Sequence, residues 1–198
     1  SSNLIFRHIT SYASPSGHYV GVDLEHVRIE KCRALVRPGR RKGGNADGVH
    51  LQNVRGPIML QGCTFEGISD DGVNLYQKPH HVLERESAVK WRFSAGAGRF
   101  ESRRGAGNLR AGDILHAFDP VNGVDYGRTR LERYDAATGW ARVDGAWRVP
   151  DDAGAWKDIV LFSDGFGSDV RIEENTFRNS RRYGLYLKSH RAKVLNNR

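Results

Sequence analysis

The sequence predicts an all-β chain: a right-handed parallel β-helix, a solenoid of short strands, with a small β-barrel or antiparallel β domain inserted into it. Three observations carry that expectation. The segments Asn45-Ala46-Asp47-Gly48-Val49-His50 and Ser69-Asp70-Asp71-Gly72-Val73-Asn74 are one unit written twice. Gly17 precedes Cys32 by fifteen residues and Gly48 precedes Cys63 by the same fifteen. A repeat of about 22 to 24 residues, built from short alternating strands and Gly/Asn turns, suits units that bury their apolar faces only by stacking on neighbours. Leucine-rich repeats share that period, but the leucine framework they need is absent.

Element by element, Val27-Arg28-Ile29-Glu30-Lys31-Cys32 aligns with Ile58-Met59-Leu60-Gln61-Gly62-Cys63 and with Val170-Arg171-Ile172-Glu173-Glu174-Asn175. All three alternate apolar and polar, the pattern of a strand with one buried face. Phe65 precedes Gly72 by seven residues and Phe177 precedes Gly184 by seven, so Ser180-Arg181-Arg182-Tyr183-Gly184 takes the place of Ile68-Ser69-Asp70-Asp71-Gly72. A further pass begins at Ala192-Lys193-Val194-Leu195-Asn196-Asn197. Cys32 and Cys63 share one column with Asn175 and Asn197, which reads as a buried ladder of small side chains. A disulfide between adjacent coils is the alternative, since stacked strands lie within bridging range.

The repeat breaks once. After Leu75-Tyr76-Gln77-Lys78 the next coil is expected at about Ile159, and the residues between have another texture. Ser94 to Gly107 is small and basic. Alternating stretches at Asp113–Phe118 and Arg128–Tyr134 follow, separated by turn signals at Asp119–Gly123 and Asp135–Gly139. The expected organisation is therefore 1–77 as the first part of the solenoid, 78–158 as the inserted β-rich domain, and 159–198 as the solenoid continued. The insert leaves directly after the Asp70-Asp71 coil, so it is expected to wall a cleft there. Because the chain starts at Ser1 and stops in mid-repeat, it reads as a piece of a longer solenoid.

Composition bounds the function classes. With 198 residues and 38% hydrophobic content the chain can bury a core, and no apolar run is long enough for a membrane helix. A formal net charge of +8 favours anionic partners, such as sulfated or uronate-bearing glycans. Arginine is dispersed, and the known nucleic-acid motifs are missing, so nucleic acid is not an expected partner. Nothing in the spacing of Cys and His resembles a zinc site, and neither metal nor cofactor is expected. A homo-oligomer is left open.

The candidate chemistry lies in three carboxylates. Asp47 and Asp71 are register-equivalent, each one residue before its glycine, and should stack about 5 Å apart in adjacent coils. Asp70 should point differently across the turn. Two like charges that close need compensation by hydrogen bonds or a cation. An inverting glycosidase uses one carboxylic acid on the leaving oxygen and one carboxylate on water, about 6.5 to 9.5 Å apart, and three aspartates on two coils can supply such a set. An Asp-Gly turn can also serve only its own backbone.

Beside the aspartates run two columns, His50, Asn74 and Tyr186, then Gln52, Tyr76 and Lys188. Parity puts Val49, Leu51, Val73, Leu75, Leu185 and Leu187 inward and these residues outward. Asn and His can bond sugar hydroxyls and Tyr can stack on a pyranose face, so His50, Gln52, Asn74, Tyr76, Tyr186 and Lys188, with Asn45, are candidate substrate-binding residues. Arg182 occupies the Asp70 position on the coil beyond the insert and is expected to pair with an aspartate or a substrate anion. A lengthened turn carries Arg40, Arg41 and Lys42 to the same end.

Several motifs together carry a family resemblance. They are Tyr12-Ala13-Ser14-Pro15, Arg37-Pro38-Gly39-Arg40, Asn45-Ala46-Asp47-Gly48, Cys63-Thr64-Phe65-Glu66-Gly67 and Asp70-Asp71, then a barrel-like insertion and Asn175-Thr176-Phe177-Arg178-Asn179-Ser180. In that order they resemble the α-1,3-galactosidases of glycoside hydrolase family 110. The resemblance implies a pectin-lyase-like right-handed β-helix, secretion or a periplasmic location, and an exo-acting, metal-independent hydrolase that removes terminal α-1,3-linked galactose with inversion. It implies that Asp47 and Asp71 hold the attacking water and that Asp70 is the acid. Two other classes remain open. One is another β-helical polysaccharide hydrolase or lyase acting on an anionic polysaccharide, with Lys188 or Arg182 as the base of a lyase. The other is a non-catalytic glycan-binding β-helix. Polygalacturonases share the Asn-x-Asp-Gly and paired aspartates but would also need an Arg-x-Lys on a later coil and a Gly-His-Gly, the latter absent.

Overall fold

The computed structural model describes residues 3–95, 109–150 and 156–198. Most of the small and basic stretch after Ser94 therefore lies outside the described residues. Every element among the described residues is a strand. Nine come first: β1 (Asn3–Arg7), β2 (Thr10–Tyr12), β3 (Tyr19–Val22), β4 (Glu25–Glu30), β5 (Arg33–Leu35), β6 (Val49–Gln52), β7 (Arg55–Gln61), β8 (Thr64–Glu66) and β9 (Val73–Tyr76). Six follow: β10 (His80–Arg85), β11 (Lys90–Ala95), β12 (Ile114–Asp119), β13 (Val124–Tyr134), β14 (Trp140–Val143) and β15 (Val160–Ser163). The last four are β16 (Val170–Glu173), β17 (Thr176–Arg178), β18 (Leu185–Leu187) and β19 (Lys193–Leu195). The chain divides into two compact units, Ser1–Gln77 with Phe166–Arg198, and Lys78–Gly165.

The all-β expectation holds, but the fold class is corrected. Instead of one pectin-lyase-like right-handed solenoid with a minor insert, the strands form three separate parallel sheets and a closed six-stranded antiparallel barrel. The barrel takes in β15, which the sequence assigned to the resumed solenoid. That strand pairs antiparallel with β10 and β12, Leu161 facing both His80 and Ala117. Apolar alternation reports that a strand has one buried face; it does not report which partner it pairs with or in which direction.

In the first unit consecutive strands visit the three sheets in turn. The sheet orders are β1-β4-β7-β16-β19, β2-β5-β8-β17 and β3-β6-β9-β18, all parallel. The register follows the sequence alignment residue for residue: Val27 faces Ile58 and Ile58 faces Val170, while Ile29, Leu60 and Ile172 stack beside them. These side chains, with Val49, Leu51, Phe65, Val73 and Leu75, form one buried apolar cluster. Each turn leaving the first sheet passes through a left-handed residue at the same place: His8, Lys31, Gly62, Glu174 and Asn196 have φ between 51° and 63°. Only one of the five is glycine, so stacking holds a conformation that four of these side chains would ordinarily avoid.

The glycine of the Asp-Gly units has a different cause. A Cβ on Gly72 would lie 2.5 Å from the Gly184 carbonyl oxygen and 2.6 Å from Phe177 Cδ1; one on Gly48 would lie 2.6 Å from the Gly72 carbonyl and 2.7 Å from Phe65 Cδ1. Phe65 and Phe177 stack with centroids 5.3 Å apart and planes 11° from parallel. Each ring therefore packs under the glycine of the level before it.

Cys32 and Cys63 are free and buried. Cys63 Sγ accepts from the Cys32 amide at 3.4 Å, Asn175 Oδ1 from the Cys63 amide at 2.8 Å, and Asn197 Oδ1 from the Asn175 amide at 3.0 Å. The column is a ladder of side-chain acceptors, one per level, and burial pushes the Cys63 thiol up to about 11.

The second unit closes in the order β10-β11-β14-β13-β12-β15. Trp91, Phe93, Leu115, Leu131, Val143 and Leu161 fill it. Trp147 packs edge-on against Trp91 at 5.4 Å.

Candidate functional site

The three candidate carboxylates come from the turns that enter the sheet β3-β6-β9-β18. On β6 and β9 the β-branched and leucine side chains Val49, Leu51, Val73 and Leu75 are buried, and His50, Gln52, Asn74 and Tyr76 take the other face half-buried. Parallel pairing sets His50 beside Asn74 and Gln52 beside Tyr76, with Tyr186 beside Asn74 on the following strand. The column His50, Asn74, Tyr186 read from the sequence is thus a column of the sheet, as is Gln52 with Tyr76, while Lys188 lies one residue beyond β18.

One oxygen from each of Asp47, Asp70 and Asp71 lies within 4.8 Å of the others. Asp47 and Asp71 are nearly covered, with relative exposures of 3% and 2%. The covering groups are polar, however, and the apolar cluster does not enclose them. Asp47 Oδ1 accepts from the Asp71 amide at 3.1 Å; Oδ2 pairs with His50 Nδ1 at 2.6 Å and accepts from Asn74 Nδ2 at 3.3 Å. Asp71 Oδ1 accepts from the Tyr183 amide at 3.3 Å. Each carboxylate therefore caps the backbone of the next level.

Burial holds the Asp71 carboxyl above the usual carboxylate range; the Tyr183 amide opposes this, Asp70 adds to it, Arg182 opposes it and Asp47 adds to it. Asp70 differs. It is half-buried, and its Oδ1 accepts from Arg182 Nη1 at 2.6 Å. Arg182 stands in the register position of Asp70 one level on, which follows from the pairing of Leu185 with Val73.

Around the carboxylates, the Tyr76 hydroxyl donates to Gln52 Oε1 at 2.8 Å and lies 3.3 Å from His50 Nε2. The His50 and Tyr76 rings meet edge to face at 5.3 Å. Burial raises the Tyr76 hydroxyl pKa, and Asp47 adds to that. Asn74 Oδ1 is buried without a hydrogen-bond partner among the described residues, leaving an acceptor available beside Asp47. Tyr186 is exposed and Lys188 Nζ lies 5.6 Å over its ring. Asn45 is not gathered in: it is exposed, and its amide donates to the Ser14 carbonyl. Sequence reasoning missed Tyr183, whose amide holds Asp71 and whose ring stacks on Tyr186 at 6.2 Å. Its signal was present, because Tyr183 occupies the register position of Asp71.

Chemically, the cluster joins a well-bonded carboxylate (Asp47), a carboxyl biased toward its protonated form (Asp71) and a carboxylate that reaches solvent beside a guanidinium (Asp70). Oxygens this close can also hold a hard cation, but His50 and Arg182 already face two of the three. No family model matches the chain. Over 76 residues, 36% of its length, it is 30% identical to the protein named alpha-1,3-galactosidase A in two strains of Bacteroides fragilis. That stretch is 13% of the length of those curated relatives.

Proposed function

We propose that the carboxylate cluster hydrolyses glycosidic bonds, removing terminal α-linked galactose, α-1,3-linked by preference, from a glycan with inversion. The convergence of Asp47, Asp70 and Asp71 carries this reading, and the partial similarity to alpha-1,3-galactosidase A supports the sugar. A water held by Asp47 and Asp71 attacks the anomeric carbon and gives its proton to that pair. The bond to the leaving oxygen breaks as Asp70 protonates it. His50 and Asn74 orient Asp47, and Tyr186 with Tyr183 offers an exposed aromatic surface to a pyranose ring. The carboxylates stand closer than the about 6.5 to 9.5 Å of inverting sites. Arg182, more than half exposed, holds Asp70 in an ion pair, and this reading requires Asp70 to leave that pair and move outward when substrate binds. One observation favours the opposite assignment of the acid: Asp71 is the carboxyl whose protonation burial favours.

Substrates with good and poor leaving groups separate the two assignments. If Asp70 is the acid, Asp70→Asn lowers cleavage of poor leaving groups by roughly 10²–10⁴-fold and spares activated aryl galactosides. Asp47→Asn and Asp71→Asn then depress both. If Asp71 is the acid, the selective loss moves to Asp71→Asn. NMR of early product should show β-galactose; release of α-galactose would overturn inversion, and full activity in all three variants would overturn the site.

A further inference from the structure

The turn between the second and third sheets takes six residues at three levels, 13–18, 67–72 and 179–184, but thirteen at the fourth, 36–48. The shorter turns carry Asp70, Asp71, Arg182 and Tyr183, and the long one carries Asp47 as its last residue but one. Its extra length contains Arg40, Arg41 and Lys42 in succession. Together with Ala13, Ser14, Pro15 and residues 43–45 they line a cleft of about 470 Å³ that has no acidic side chain in its wall. The Ser69 hydroxyl, next in sequence to Asp70, donates to the carbonyl of Gly44 in that wall.

Five other cations in this unit have ion-pair partners: Arg7 and Arg28 with Glu30, Arg171 with Glu173, Arg182 with Asp70 and Arg191 with Asp169. Arg40, Arg41 and Lys42 are exposed and have no ion-pair partner among the described residues. Three adjacent like charges repel, and an anion between them removes that cost while gaining bidentate bonds from planar guanidinium groups. Gly43 and Gly44 keep the back of the cleft close to its neighbours: a Cβ on Gly43 would lie 2.9 Å from the Glu66 carbonyl oxygen and one on Gly44 2.6 Å from His18 Nε2.

We propose that this cleft binds an anionic substituent, a sulfate ester or a carboxylate, on the same glycan whose terminal sugar sits at the carboxylates. The inference rests on the hydrolase reading for the identity of the chain that carries the anion, and on the loop alone for the anion. In the three charges lies a selectivity that the carboxylate cluster, itself acidic, cannot supply.

The test uses the whole protein and the triple variant Arg40→Gln, Arg41→Gln, Lys42→Gln. Binding is measured by calorimetry with neutral, sulfated and uronate-bearing galacto-oligosaccharides of one length, and with a single-stranded oligonucleotide. Sulfated or uronate ligands should bind about tenfold or more tighter than neutral ones at low salt, and that preference should fade with salt and vanish in the variant. Sulfated and uronate arms tell which anion fits. Cleavage of neutral α-galactosides, if the wild type shows it, should be unchanged in the variant. A preference that survives in the variant overturns the proposal, as does an oligonucleotide bound through the same residues as tightly as the glycan. If no α-galactoside is cleaved but the charge preference holds and depends on the loop, the hydrolase reading falls and the anion site stands.

Discussion

In the parallel-sheet unit, what one residue does is repeated by its equivalents above and below: Phe65 stacks on Phe177, Asn175 accepts an amide as Asn197 does, and Asp47 caps Asp71 as Asp71 caps Tyr183. Among the described residues of the barrel no column repeats. Trp91 and Trp147 meet once, edge to face, and closure of β10 on β15 does what stacking does in the other unit. The difference shows where a disturbance should spread. A lesion in a column removes a support from two levels, whereas a lesion in the barrel acts within one closed wall. Chemistry also separates the two: all four tryptophans lie in the barrel unit and both cysteines in the parallel unit. Tryptophan fluorescence and thiol accessibility therefore read one unit each.

The largest expected effect is Phe65→Ala, a loss of about 3–5 kcal/mol from a fully buried stacked ring. Cys32 and Cys63 should then react with a thiol reagent at lower urea while the tryptophan transition stays in place. If both transitions move together, the units are one cooperative body and the comparison breaks.

Glycines come next. Gly72→Ala should cost about 3 kcal/mol, because the new methyl meets a backbone carbonyl that cannot turn aside. Gly123→Ala in the barrel unit has open space and only a left-handed φ of 69° against it, and should cost about 1 kcal/mol. Equal urea midpoint shifts would refute crowding as the cause at Gly72.

Removing one rung should be milder than removing a ring. Asn175→Ala orphans the buried Cys63 amide and should cost about 1–3 kcal/mol. Asn175→Leu, which keeps the volume but neither the acceptor nor the donor, should cost as much or more; stability equal to wild type would mean that the ladder is packing alone.

The smallest effect is the dependence of Asp71 on pH. Its folded-state carboxyl titrates above the unfolded value, so its contribution to stability is complete below the unfolded pKa and lost as pH rises through the folded one. Asp71→Asn keeps the acceptor for the Tyr183 amide and should gain stability over wild type on going from about pH 3 to about pH 7. A difference in thermal midpoint that is flat across that range would show that burial does not strain the carboxyl.

Much of the candidate site was legible because columns are written in the sequence at a fixed spacing. The equivalence of Asp47 with Asp71, of Asp70 with Arg182, and of His50 with Asn74 and Tyr186 follows from aligning glycines and phenylalanines. Burial of Asp47 and Asp71 was not legible: an outward side chain is covered when neighbouring levels turn their own amides, His50 and Asn74 onto it, and no periodicity records that. Tyr183 was overlooked because its contribution is a backbone amide, which any residue type supplies.

By itself the sequence determined which residues share a column, since stacking at one strand spacing converts a repeat into a register. It also determined which face of β6 and β9 is apolar, since side chains alternate. The tertiary structure alone decided that Val160–Ser163 belongs to the barrel, because strand pairing is a choice among partners that look alike along the chain. It alone decided which carboxyl is protonation-biased, because Asp47, Asp70 and Asp71 are the same residue type and differ only in what surrounds each.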